Sequence, residues 1–369
     1  MASPTRPVLD PIHHVLVAHR HLYTSHPHCV RLPGLEPELL VVFSRSVRRD
    51  VVHHPLSDPC FCNMTMRSTD GGRTWSDLRA APGYDWTGVE CAGLTAIGGQ
   101  EVLLNQWRFR WYTPEAAAAA TDDFLTSVES SVYYGMAADP GERWVRGGGT
   151  AFVHRSADGG RTWSQTVSID TAPYCGGYGI RGAARLTDGQ LVLPLSDAPA
   201  YEIVFVVRSA DGGRTWSPPI EVARAHGKAF EEPALIVLPD QTLFMMVRES
   251  RSDRLHSTRS ADGGLTWAPV RDTGIVGCPP HLLRLADGRL LCSYGYRYFP
   301  FEIRAAVSSD EGNTWDLRQM IIATNLGSRD IGYPSTVPAD DGHLMCVYYG
   351  QLFDGTPAIL SSRFEIPSE

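Results

Sequence analysis

Five octapeptides of one pattern constrain the fold of this chain more than any other feature. STDGGRTW occupies residues 68–75, SADGGRTW 156–163 and again 209–216, SADGGLTW 260–267 and SSDEGNTW 308–315. The pattern S-x-D-x-G-x-T-W therefore recurs at spacings of 88, 53, 51 and 48 residues. Its chemistry is that of a reinforced turn. The Asp can accept hydrogen bonds from turn amides, the Gly takes a positive φ that other residues avoid, and the Trp packs over the turn. These Asp residues are read as turn builders, with no catalytic role. Self-similarity at a near-constant period means one supersecondary unit repeated along the chain.

A second repeat precedes the octapeptides. ARLTDGQLVLPL (184–195), LIVLPDQTLFMMV (235–247), LLRLADGRLLCSY (282–294) and TVPADDGHLMCVY (336–348) each alternate apolar residues around a turn. Each reads as a hairpin of two short strands. The segment leading into the octapeptide makes a third strand, and the segment after it a fourth. Four antiparallel strands per roughly fifty residues form the blade of a β-propeller. The expectation is an all-β, six-bladed β-propeller filling residues 1–369 as a single domain. Its blades fall at 25–82, 88–170, 178–224, 230–274, 278–324 and 331–367. The last unit has three strands and no octapeptide, so HHVLVAHR (13–20) is expected to supply its outer strand and close the ring. Blade 2 carries an insertion near 109–148, whose EAAAAATDDF is expected to form a short helix.

Composition narrows the function classes. With 43% hydrophobic residues the chain can bury a large core, and its net charge of −8, with no basic run, argues against a nucleic-acid partner. Lys228 is the only lysine, and arginine suits bidentate recognition of carboxylates. MASPTRPVLDPIHH has no apolar leader core, and no apolar run reaches a membrane-spanning length of about 20 residues. The eight cysteines form no CxxC pair and read as reduced thiols. The expectation is a cytoplasmic protein. The adjacent pairs His13-His14 and His53-His54 do not make facing metal ligands, so neither metal nor cofactor is expected. The sequence is silent on oligomeric state.

Topology alone locates a site. In an antiparallel blade the octapeptide turn shares a face with the strand 1–2 turn. The opposite face gathers the starts of the first strands, nearest the axis. Aligning the six hairpins on their turns brings His26, Glu90, Ile180, Glu232, Pro279 and Tyr333 to those starts, with Arg181 and His281 beside them. Arg45, Arg108, Asp197, Arg248, Arg297 and Gln351 lie at the far ends of the second strands, and Arg304 opens a third. Convergent arginines facing an axis imply an anionic ligand, a carboxylate above all. The alternative is that they pair with acidic residues across blades and seal the channel.

The repeated octapeptide resembles the Asp box (BNR repeat) of the sialidase, or neuraminidase, superfamily, and the resemblance covers nearly the whole chain. That family carries an Asn-Glu before a strand and an Arg sixteen residues after the Glu. FEEPALIVLPDQTLFMMVR is similar, with Glu232 and Arg248 sixteen apart. GYPSTVPADDGHLMCVYY is similar to the family's nucleophile segment and places Tyr333 on the nucleophile. The resemblance implies Asp58, ten residues before the first box, as acid/base, and Arg304 or Arg297 as a further carboxylate ligand. The family's Arg-Ile-Pro has no counterpart: Ser25-His26-Pro27 stands at the equivalent place, and Arg31-Leu32-Pro33 falls by the turn.

Three functions are compatible with these residues. In the first, a retaining exo-glycosidase acts on an acidic glycan or glycoside. Tyr333 attacks the anomeric carbon, Glu232 removes its proton and Asp58 serves the leaving group. Arg248 with Arg304 or Arg297 binds the carboxylate, and Arg45, His26, Glu90, Arg181 and His281 complete the pocket. In the second, a polysaccharide lyase uses His26, His28 or His281 with Tyr333 to abstract a proton from a uronate. The third is a non-catalytic glycan-binding propeller.

Overall fold

The computed structural model describes residues 9–34, 38–47, 59–85, 88–121, 125–129, 143–198, 200–318, 320–339 and 342–367. Among the described residues the fold is all-β apart from one short helix: a β-propeller built from antiparallel sheets. Strand β1 (Ile12–Ala18) is followed by the first four-stranded sheet, β2 (Leu22–Leu32), β3 (Glu38–Val47), β4 (Cys62–Ser68) and β5 (Arg79–Ala80). Next come β6 (Val89–Gly98), β7 (Glu101–Tyr112), helix α1 (Pro114–Ala118), β8 (Thr126–Glu129), β9 (Arg143–Ser156) and β10 (Gln165–Ile169). Strands β11 (Gly176–Tyr178), β12 (Ala184–Arg185), β13 (Leu191–Asp197), β14 (Val204–Ser209) and β15 (Ile220–Ala223) follow. Two further four-stranded sheets are β16 (Phe230–Val237), β17 (Leu243–Glu249), β18 (Arg254–Ser260) and β19 (Arg271–Val276), then β20 (Pro280–Arg284), β21 (Leu290–Tyr296), β22 (Glu302–Ser308) and β23 (Met320–Ala323). The chain ends with β24 (Gly332–Pro338), β25 (Leu344–Gln351) and β26 (Pro357–Phe364).

Among the described residues the sheets number five, where the sequence leads one to expect six blades. Strands β6 to β15 join into one ten-stranded sheet with the path β15-β14-β13-β11-β9-β7-β6. The join is a single parallel pairing, Gly176 with Thr150, inside an otherwise antiparallel arrangement. The N-terminal strand pairs as the sequence suggests: β1 lies antiparallel to β26, His13 opposite Ser362 and Val15 opposite Leu360. The insertion helix forms at Pro114–Ala118, with Thr113 as N-cap accepting from the Ala116 amide.

The middle strands show why the sequence folds this way. Side chains alternate between sheet faces with period two. On β17, Leu243, Met245 and Val247 pack toward β14, while Phe244 and Met246 pack toward β21. On β25, Met345, Val347 and Tyr349 join Tyr23, Phe43 and Tyr333 on one side, and Leu344, Cys346 and Tyr348 join Leu291 and Ile303 on the other. A blade sandwiched between neighbours buries both faces, so its inner strands read as continuous apolar runs. Each such side chain contributes about 1.5–3 kcal/mol of burial.

The octapeptides form the turns expected of them. In the first, Asp70 Oδ1 accepts from the amides of Arg73 (3.0 Å) and Thr74 (2.9 Å), Ser68 Oγ donates to the same oxygen (2.8 Å), and Trp75 Nε1 donates to Gly72 O (3.2 Å). Gly71 and Gly72 have φ of 71° and 89°. The Ser hydroxyl and the Thr amide donate in the same way to Asp158, Asp211, Asp262 and Asp310. Among the described residues Cys29, Cys62, Cys91, Cys278, Cys292 and Cys346 are free thiols. Among the described residues no helix is long and apolar enough to cross a membrane.

Candidate active site

Four first strands open on a residue in the left-handed backbone region. These are His26 (φ 52°), Cys91 (φ 35°), Glu232 (φ 54°) and Tyr333 (φ 50°). Each sits within a register shift of its hairpin: Ser25/His28, Glu90/Ala92, Glu231/Ala234 and Gly332/Ser335. A bulge adds one residue to a strand and re-aims a side chain. Positive φ at a non-glycine residue costs on the order of 1–3 kcal/mol and persists where surrounding contacts over-determine it. Two of these contacts are equivalent. The Cys91 amide donates to Ser44 Oγ and the Glu232 amide to Ser196 Oγ, each at 3.0 Å and each from the preceding blade's second strand.

The bulges bring a buried hydrogen-bonded group together. The Tyr333 hydroxyl donates to Glu232 Oε1. Tyr178 Oη lies 3.0 Å from that oxygen and 3.0 Å from Tyr333 Oη, with Cys91 Sγ 3.7 Å behind it. The other Glu232 oxygen accepts from Arg248 Nη1 at 3.0 Å. Arg248 Nε lies 3.6 Å from Glu231, and the Arg248 side chain is 16% exposed against 2% for Glu232. The Arg297 guanidinium lies 5.9 Å over the Tyr333 ring while its Nε donates to Ile331 O.

Charge states follow from these contacts. Burial pushes the Glu232 carboxyl up, but Arg248, Arg297 and the Tyr333 hydroxyl outweigh it and hold Glu232 below the usual glutamate range. Glu231 is raised, by burial first and by repulsion from Glu232. Tyr333 is pushed well up by burial and the Glu232 charge, and Tyr178 by burial and its acidic neighbours. An ionised carboxylate thus accepts from a protonated phenol, the arrangement in which the carboxylate can withdraw that proton as the phenol oxygen attacks.

The remaining sequence-predicted residues divide. His26 accompanies Tyr333, its ring 4.2 Å away and edge-on, with Ser25 Oγ 2.8 Å from Nδ1. Arg304 pairs with Glu302 (Nε to Oε2, 2.6 Å) and lies over the Tyr296 ring at 3.4 Å. Arg297 is therefore the blade-5 arginine beside Tyr333. Arg45 lines a cavity with His14, Thr24 and Trp75, between β1 and the first sheet. Glu90 is buried one residue before the bulge, and Cys91 takes the position aligned for it. Arg181 spans Pro280 O (3.0 Å) and Pro334 O (2.9 Å), and His281 Nδ1 accepts from the Thr336 amide (3.3 Å). Asp58 lies outside the described residues. The hairpin alignment missed Tyr178, because β11 is itself bulged between Gly176 and Tyr178 and the alignment stepped to Ile180.

Known proteins bear on this geometry. Residues 126–346 match the family model described as BNR repeat-like domain. A sialidase from Clostridium perfringens is 24% identical over 225 residues, 51% of this chain and 59% of the relative, so the match spans little more than half of that protein. Among solved structures, a protein of unknown function from Dyadobacter fermentans superposes with a TM-score of 0.81 at 23% identity, over 96% of this chain and 98% of that one. The intramolecular trans-sialidase from Ruminococcus gnavus superposes with a TM-score of 0.62 at 15% identity, over 93% and 94%.

Proposed function

The chain belongs to the BNR repeat-like domain family of the sialidase superfamily, and from that premise we propose that it is a retaining exo-glycosidase acting on an acidic sugar. In this reading the ten-stranded sheet is two blades joined edge to edge, and the whole chain is one six-bladed propeller closed by β1. One observation carries the catalytic reading: the Tyr333 hydroxyl, Glu232 and Arg248 form a continuous hydrogen-bonded array beside the axis.

Tyr333 Oη attacks the anomeric carbon as its proton passes to Glu232. The bond to the leaving oxygen breaks, and that oxygen takes a proton from an acid, the role held for Asp58. Water then cleaves the tyrosyl intermediate with the same acid acting as base. A neutral phenol suits an anomeric centre that bears a carboxylate, because an anionic nucleophile would be repelled. Arg248 and Arg297 supply the positive charge for that carboxylate, with His26 at the edge of the same pocket. Tyr178 holds both the phenol and its base.

The test is a panel of acidic glycosides and uronate-capped oligosaccharides, read by released sugar and by ultraviolet absorbance. Release of free acidic sugar with retained configuration, abolished in Tyr333→Phe, is the expected result. An unsaturated, absorbing product would instead establish β-elimination by a lyase. Ligand binding without turnover, unchanged in Tyr333→Phe, would establish a glycan-binding propeller.

A further inference from the structure

Beneath Tyr333 and Glu232 lies a second cluster that the glycosidase reading leaves unused. Arg181 is 3% exposed, and its backbone is wedged against β6: a Cβ on Gly93 would come within 2.2 Å of the Arg181 carbonyl. Its Nε and Nη2 are spent on the carbonyls of Pro280 and Pro334. Its Nη1 is buried and has no partner among the described residues. No carboxylate among the described residues forms a salt bridge with it, and Glu232, whose charge it feels, is held by Arg248. A buried guanidinium without a counter-charge is costly.

Two histidines neighbour the same arginine, whose Nη2 bonds the carbonyl of Pro280 beside His281. His28 and His281 lie with ring centroids 5.9 Å apart, and the charge of Arg181 acts on both. Each accepts a backbone N–H at Nδ1, His28 from Leu94 at 2.9 Å and His281 from Thr336 at 3.3 Å. That bond fixes the tautomer: in a neutral ring the proton must sit on Nε2. Burial and Arg181 hold both rings below the usual histidine range, hence neutral, while burial lowers Arg181 only to about 10, so it stays charged. The cluster therefore offers Nη1–H and two Nε2–H groups, donors without an acceptor among them. Water fits this set poorly, since it accepts at most two hydrogen bonds and its own protons then need acceptors. A halide accepts from every side and supplies the missing negative charge.

We propose that Arg181, His28 and His281 form an axial site for a small inorganic anion, chloride, distinct from the pocket at Arg248 and Arg297. The bound ion neutralises Arg181 and ties β2, β20 and the segment around Arg181 together under the Tyr333–Glu232 pair.

Bromide, an anomalous scatterer, is the direct probe. Crystals of the wild-type protein soaked in bromide are expected to show an anomalous peak within hydrogen-bond distance of Arg181 Nη1 and both histidine Nε2 atoms. Thermal unfolding supplies the second measurement. At constant ionic strength, replacing methanesulfonate by chloride is expected to raise Tm by about 2–4 °C, and Arg181→Met is expected to lose that dependence. Absence of a bromide peak at Arg181 in the wild type, or bromide confined to Arg248 and Arg297 or to the surface, overturns the proposal whether or not the variant folds. Indifference of the wild-type Tm to chloride overturns it as well. Neither readout uses turnover, so failure here is separable from failure of the glycosidase reading.

Discussion

At the scale of single residues, the nucleophile role proposed for Tyr333 requires an acceptor for its proton, and Glu232, held below the usual glutamate range, accepts from its hydroxyl. Replacing Glu232 by Gln is expected to lower kcat by about 10²–10⁴-fold, measured on whichever acidic glycoside the panel identifies. The pH profile should carry the signature of Arg248. Because arginine charge depresses Glu232, the acidic limb of kcat/KM should lie below the ordinary glutamate range, activity falling as pH drops through the depressed value. In Arg248→Met the leading depressing charge is gone, Glu232 rises, and the limb moves to higher pH; an unmoved limb would remove Glu232 as the titrating base. Tyr178 acts through others. It bonds Glu232 and Tyr333 at 3.0 Å each, and one such bond is worth about 1 kcal/mol net. Tyr178→Phe should therefore lower kcat by about 5–10-fold with KM unchanged. A rise in KM alone would show that it shapes binding instead. The sequence exposed Glu232, Arg248 and Tyr333 because their spacing is set by hairpin length. It did not expose Tyr178, whose ring arrives from a bulged three-residue strand, nor choose between Arg297 and Arg304, of which Arg304 is taken up by Glu302 two residues earlier on the same strand.

At the scale of the element, the Asp box and the axial bulge behave oppositely in sequence. The box carries its own hydrogen-bonding partners within eight residues, so it is legible wherever it occurs. The bulge depends on Ser44 and Ser196 from the neighbouring blade, 47 and 36 residues away in sequence. That is why a hairpin alignment placed Glu90 where Cys91 stands. The boxes also make a stability prediction. Slight burial raises Asp70, but hydrogen bonds from Thr74, Ser68 and Arg73 overcome it and hold the carboxyl at about 2. A depressed folded-state pKa contributes stability that is fully present above the unfolded value, about 4, and is lost as pH falls through about 2. Asp70→Ala should lower Tm by about 1–3 °C at neutral pH, with the wild-type and variant curves converging toward pH 2. Turnover should be unaffected. A change in kcat/KM at unchanged Tm would contradict the separation of turn and site.

At the scale of the whole molecule, the two ends of the chain meet in one sheet, and the sequence betrays this because its last unit is one strand short. Fusion of β6–β15 into a ten-stranded sheet is not written in any pattern. It rests on one backbone pairing where side chains are small or absent, Gly149 lying so close that a Cβ there would be 3.0 Å from the Gly176 Cα. The N-terminal strand can be tested directly. Strand β1 is mostly exposed, and partly buried Leu16 and Val17 pack on the core, so its contribution is mainly the ladder to β26. His13 Nδ1 adds a 2.8 Å contact with Ser362 Oγ. Strand β26 is buried along its whole length. Removing residues 1–18 would turn it into an edge with free amides and carbonyls beside an apolar core, which invites pairing with another chain. The truncated protein is expected to lose about 5 °C or more in Tm and to show concentration-dependent association by size-exclusion chromatography. Catalysis by the remaining monomer should fall less than stability, because Tyr333 and Glu232 are held by β24, β16 and the neighbouring β13 rather than by β1. An unchanged Tm and an unchanged elution profile would mean that β26 tolerates an open edge and that the ring does not depend on its N-terminal strand.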